Sequence, residues 1–172
     1  MPAAITLTFD AAATARIASL WDALAAAGHS TSMQRLGYVP HLTLLVWPDA
    51  AADALAGQVR ALARLVPPQI SIATLGVVPG ERDLLWLGVV PTQPLLALHA
   101  ALADCIDQVP HPHYRIGAWM PHITLADDLA PARIGAAIAC VDCLATVAHA
   151  RIAAIEVVSF PPVAVLGRHA LI

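Results

Sequence analysis

Two stretches, Pro40-His41-Leu42-Thr43-Leu44 and Pro121-His122-Ile123-Thr124-Leu125, decide how this chain folds. They lie 81 residues apart in a chain of 172. Each sits in an apolar, β-branched setting that reads as a strand, Val39–Trp47 in the first half and Trp119–Ala126 in the second. The offset extends outward in both directions. Ile5–Phe9 alternates as a strand and lands on Leu84–Val90. The helix expected over about Ala11–Ala27, with Asp10 as its N-cap and Gly28 just past its end, lands on one that follows Thr92 and carries Leu95, Leu98, Leu102, Ile106 and Val109. A helix capped by Asp49, with Leu55, Val59, Leu62 and Val66 on one face and Pro67 as its stop, lands on one beginning near Pro131. A strand over Gln69–Val77 lands within one over Val147–Val158, and Val163–Ala170 adds a last strand. Five elements around one motif share a single offset, so the chain reads as two fused copies of a β-α-β-α-β unit. The expected architecture is α+β: a single domain over 1–172 made of two pseudo-twofold lobes, about 1–83 and 84–172. Each lobe is an antiparallel sheet with two helices on its outer face, and a cleft lies between them.

Composition bounds the function. Hydrophobic residues make up 59% and charged residues 12%, which excludes a disordered chain. Nine Arg, no Lys and twelve acidic residues give a formal net charge of −3, so a protein gripping long nucleic acid through many phosphates is not expected. Pro91 and Pro94 break the longest uncharged stretch, Leu84–Ala103, so no membrane span is expected. The absence of a basic-then-apolar leader and the three Cys at unremarkable spacings fit a cytoplasmic location with free thiols.

Side chains alternate along a strand, so His41 shares a face with Thr43, and His122 with Thr124. A twofold relation between lobes then brings two imidazoles and two hydroxyls across one cleft. One imidazole can take a proton from water while the other protonates a departing oxygen, and the Thr hydroxyls can donate to phosphate oxygens. Imidazole, with an ordinary pKa of about 6.5, can hold either role near neutrality. Four satisfied core groups would explain a single motif as well, but two strands with coincident polar faces need a shared reason. A zinc site is disfavoured, because neither motif brings further ligands.

Two H-x-T-L motifs, one per half, together with the run YRIGAWMPHITLA over 114–126, resemble the 2H phosphoesterase superfamily in its bacterial RNA 2′-5′ ligase and cyclic phosphodiesterase branch. The resemblance spans nearly the whole chain. It implies a two-lobed, metal-independent enzyme without cofactor, acting on 2′,3′-cyclic phosphates, 2′-5′ linkages or related nucleotides. It carries over to His41, Thr43, His122 and Thr124 alone. It further implies that His122 activates water and His41 protonates the leaving oxygen, an order that the near-symmetry of the motifs leaves open. The expected partner is a small nucleotide or an RNA-end cyclic phosphate. The alternatives are a nucleotide sensor without turnover and an RNA 2′-5′ end-joining or repair enzyme.

Secondary candidates for substrate contact are Trp47, in register with His41 and Thr43, and Tyr114 and Arg115 before the second motif, with Arg82 in the turn between halves. His111 and His113 flank Pro112 as a surface loop, and Cys140 with Cys143 forms a CxxC late in a helix, where no thiol is activated.

Overall fold

The computed structural model describes residues 1–49, 52–104, 106–141 and 147–171. The strands are β1 (Ala3–Phe9), β2 (His41–Trp47), β3 (Gln69–Val78), β4 (Asp83–Val89), β5 (His122–Leu129), β6 (His149–Ser159) and β7 (Ala164–Ala170). The helices are α1 (Ala11–Ala26), α2 (Ser32–Leu36), α3 (Ala52–Leu62), α4 (Gln93–Asp104) and α5 (Ile134–Cys140). An 81-residue offset carries β1, α1, β2, α3 and β3 onto β4, α4, β5, α5 and β6 to within two residues at each start.

Local chemistry sets the elements. The Asp10 carboxylate accepts the Ala13 N–H at 2.7 Å and caps α1, whose Ile17, Leu20, Trp21 and Leu24 are buried. Gly28, at φ 68°, takes the left-handed turn that ends it. Helix α4 stops at Asp104, short of the Val109 expected from periodicity. Beyond it, the Gln108 carbonyl accepts the Trp47 indole N–H at 3.1 Å, which ties the segment after α4 to β2. The polar link after α1 holds a short helix, α2, which its sequence does not announce.

All the pairings are antiparallel, and one path runs β2-β1-β6-β3-β4-β5 with β7 on β6. The boundary expected near residue 83 divides the sequence but not the sheets. β3, from the first half, pairs with β4, and β6, from the second, pairs with β1 and β7. These crossing strands meet where Gln69, Ile70 and Ser71 pair with Arg151, Ala150 and His149. Equivalent segments running antiparallel through one point are what a local twofold axis requires. Two concave sheet faces, one built on β1 and β2 and the other on β4 and β5, therefore confront each other. The apolar residues of the opposite faces, Ile5, Leu7, Leu42, Leu44, Leu85, Leu87 and Ile123 among them, form the core under the helices.

Each motif strand carries a bulge at the same place. Ile5 pairs with Leu45 and Thr6 with Thr43, which leaves Leu44 unopposed; Leu85 pairs with Ala126 and Trp86 with Thr124, which leaves Leu125 unopposed. One extra residue shifts the alternation by one position. His41, Thr43 and Val46 of β2 and Thr124 and Asp127 of β5 therefore line one cleft, and His122 shares the strand face of Thr124 beside it.

Candidate active site

Both imidazoles are fixed the same way. His41 Nδ1 lies 2.8 Å from the Val39 carbonyl and His122 Nδ1 lies 2.7 Å from the Met120 carbonyl. A carbonyl only accepts, so Nδ1 carries the proton in each ring and Nε2 is left for chemistry. The acceptor lies two residues before the His, across a Pro in both motifs, and proline restrains the backbone that aims it. An aromatic ring backs each imidazole: Tyr38 on His41 at 4.8 Å between centroids, and Trp86 edge-on to His122 at 5.5 Å. Trp86 lies over Gly76, where a Cβ would come within 2.4 Å of the indole, so only glycine admits this packing.

A cleft of about 280 Å³ joins the lobes, lined by His41, Thr43, Thr124 and Tyr114 among others. The charge of His122 acts on His41. Burial holds the His41 pKa below its ordinary value and the charge of His122 adds to this, against the Val39 hydrogen bond and the Glu156 carboxylate. The Tyr114 phenol shares a hydrogen bond with the Thr43 hydroxyl, and burial raises its pKa.

Each motif strand is clasped by an indole from elsewhere in the chain. Trp21 Nε1 donates to the Thr124 carbonyl at 3.1 Å, and Trp119 Nε1 donates to the Thr43 carbonyl at 3.0 Å. β2 and β5 are the ends of the strand path, so these carbonyls have no ladder partner on that side. Trp119 is itself stacked on His99 at 4.2 Å, and His99 Nε2 bonds the Tyr114 carbonyl at 3.0 Å. His99, which shows no motif, thus supports both Trp119 and Tyr114.

A second unannounced group lies beneath His41. Glu156, 1% exposed, accepts from the Tyr38 hydroxyl at 2.6 Å and pairs with Arg168, while Thr6 bonds the same hydroxyl at 2.9 Å. Burial, then the hydrogen bond with Glu156, pushes the Tyr38 phenol well above its ordinary pKa, so it stays a donor. Tyr38→Phe keeps the ring against His41 and removes that donor. A hydrogen bond to a charged group contributes about 1.5–3 kcal/mol, and urea unfolding is expected to show a loss of that size. An unchanged midpoint would show that the carboxylate does not depend on Tyr38.

Of the secondary candidates, Tyr114 reaches the cleft and three do not. Trp47 is 1% exposed and turned into the core, because the bulge at Leu44 moves it to the face opposite His41. Arg115 is exposed and donates to the Pro110 carbonyl at 3.3 Å, away from the cleft. Arg82 is exposed in the β3–β4 turn and lines no part of the cleft. Cys140 is a free thiol at the end of α5, and Cys143 lies outside the described residues. Among the described residues, no three His, Cys, Asp or Glu side chains gather as a metal site.

This reciprocal pair of tethered histidines has a family. The model of the 2′-5′ RNA ligase superfamily matches residues 10–160, most of the chain. The chain belongs to the 2′-5′ RNA ligase superfamily. No curated protein matches the sequence. Among solved structures, E. coli LigT complexed with 3′-AMP is similar at 18% identity and a TM-score of 0.56, covering 98% of this chain and 96% of its own. Kluyveromyces marxianus Usb1 is similar at 12% identity and a TM-score of 0.55, covering 96% and 97%. At such identities these likenesses show the fold. Membership of this superfamily supports a phosphodiesterase-type enzyme. No described helix is long and apolar enough to cross a membrane.

Proposed function

We propose that this protein opens nucleoside 2′,3′-cyclic phosphates, or closely related small cyclic or 2′-5′ phosphodiesters, by two-histidine acid–base catalysis without a metal. The observation that supports the reading is the pair of imidazoles, each with Nδ1 tethered to a carbonyl, on two strands whose Thr43 and Thr124 line one cleft with His41. The donor set suits one tetrahedral phosphorus. Thr43 and Thr124 hydrogen-bond the non-bridging oxygens as charge grows on them. In the proposed order, His122 Nε2 accepts a proton from water as the water oxygen bonds phosphorus. The ring P–O bond breaks, and His41 Nε2–H gives its proton to the departing ribose oxygen. Products are one nucleoside monophosphate and the two imidazoles with their proton states exchanged. The strained five-membered ring lowers the barrier, so positioning and proton transfer suffice.

That 3′-AMP is bound by LigT, and uridine monophosphate by the K. marxianus Usb1, supports a small nucleotide as the ligand class. The deciding experiment is turnover of the four nucleoside 2′,3′-cyclic phosphates, with the product isomer identified by chromatography. Opening of at least one is expected; binding of all without turnover would make the protein a sensor. Activity is expected to survive excess chelator unchanged, and a loss restored by zinc or magnesium would overturn the metal-independent mechanism.

A further inference from the structure

The cleft is short of positive charge. None of the nine Arg lines it, and there is no Lys. Two Arg on elements beside the cleft are engaged: Arg168 of β7 with Glu156, and Arg35 of α2 with Asp128 at 2.7 Å. Among the described residues that line the cleft, His41 alone can carry positive charge, with His122 on the neighbouring strand face of Thr124. The bulge in β5 turns Asp127, three residues past Thr124, to the same cleft, at the position that Val46 holds in the first repeat. Its backbone N–H donates to Ser32 Oγ at 3.2 Å, which sets it beside α2. The residue is exposed at the rim, and among the described residues its carboxylate has no salt-bridge partner. The rest of that end is apolar: Met33 and Leu36 from α2, then Val158, Phe160 and Val163.

The charge balance discriminates between substrates. One phosphodiester carries a single negative charge, which an imidazolium and two hydroxyls can meet. A second phosphate would find no unpaired cation among the described lining residues and would meet the Asp127 carboxylate at the rim, and like charges held close disfavour one another. The apolar wall, by contrast, suits a base or another uncharged group. The volume of about 280 Å³ is near the lower end of small-molecule sites, which run from roughly 300 to 1,000 Å³.

Resting on the phosphodiesterase reading, we infer that the cleft is selective for a singly charged phosphodiester on an otherwise neutral nucleoside, and that Asp127 rejects substrates with a second phosphate, including oligonucleotide ends. The experiment compares adenosine 2′,3′-cyclic phosphate with its 5′-phosphorylated form in wild type, Asp127→Asn and Asp127→Arg. Wild type is expected to favour the 5′-hydroxyl substrate by at least tenfold in kcat/KM. Asp127→Asn should narrow that ratio and Asp127→Arg should reverse it. Equal or better turnover of the doubly phosphorylated substrate by wild type would overturn the inference, and an unchanged ratio in both variants would remove Asp127 from it. Calorimetric binding of 3′-AMP against adenosine 3′,5′-bisphosphate gives the same comparison without chemistry. If no cyclic nucleotide is opened, the proposed reaction fails while binding still decides the charge selectivity: a bisphosphate bound as tightly as 3′-AMP overturns it.

Discussion

His41→Ala and His122→Ala are each expected to lower turnover of a 2′,3′-cyclic nucleotide by about 10²–10⁴, the range for one positioned proton-transfer group. Neither replacement should unfold the protein. Both rings are half-buried, and each gives up only one hydrogen bond, to Val39 or to Met120. The double variant should lose less than the product of the single losses, because groups acting on one transition state are not additive. What remains should come from Thr43, Thr124 and the shape of the cleft. The leaving group separates the two roles. A nitrophenyl phosphodiester departs without protonation, so loss of the acid is forgiven on it and loss of the base is not. In the proposed order His41→Ala should be largely restored on that substrate and His122→Ala should stay impaired; the opposite pattern would exchange the roles. Near-normal turnover by a folded double variant would end the acid–base assignment.

Some of this was legible in the sequence because it is periodic. A repeat of 81 residues and a period of two along each strand are enough to put His41 with Thr43, His122 with Thr124, and both pairs at one cleft. Trp47 shows where periodicity stops: one unopposed residue, Leu44, sends it to the core and Val46 to the cleft. A bulge is set by how two strands pair, and the pattern of a single strand does not contain it. The exchange of β3 and β6 between sheets is hidden for the same reason, since alternation states which face is buried and not who the neighbour is. Glu156 did leave a signal. It is a lone carboxylate in the apolar run from Ile152 to Val158, and a buried carboxylate demands partners. Tyr38 left another, because it and Trp119 stand three residues before the two motif histidines. What no residue pattern carries is that the first bonds Glu156 and the second bonds the Thr43 carbonyl, contacts spanning 118 and 76 residues.

The second large effect is on pH. Acid and base must be in opposite protonation states, so kcat/KM is expected to trace a bell with a single working proton on the pair. Below the lower of the two macroscopic pKa values both rings are charged and no base remains. Above the higher one both are neutral and no acid remains. Each limb should change about tenfold per pH unit, so two units beyond either edge the rate is down about a hundredfold. The two values belong to the pair, since each ring's charge disfavours the other's. Burial and the charge of His122 both act to hold His41 down, so the acid limb should lie below the ordinary value of about 6.5. The acid limb marks entry of the second proton to the pair, so depressing that lower macroscopic value carries the singly protonated pair to lower pH. A bound phosphodiester is an anion that favours protonation of both rings, so the kcat profile should shift upward from the kcat/KM profile. Glu156 helps His41 keep its proton, and Glu156→Gln removes that charge while retaining an acceptor for Tyr38. In that variant the acid limb should move further toward low pH. In His41→Ala the residual rate should follow one ionisation and lose a limb. A rate flat from pH 5 to 9 in wild type would mean that the imidazoles do not exchange protons with the substrate.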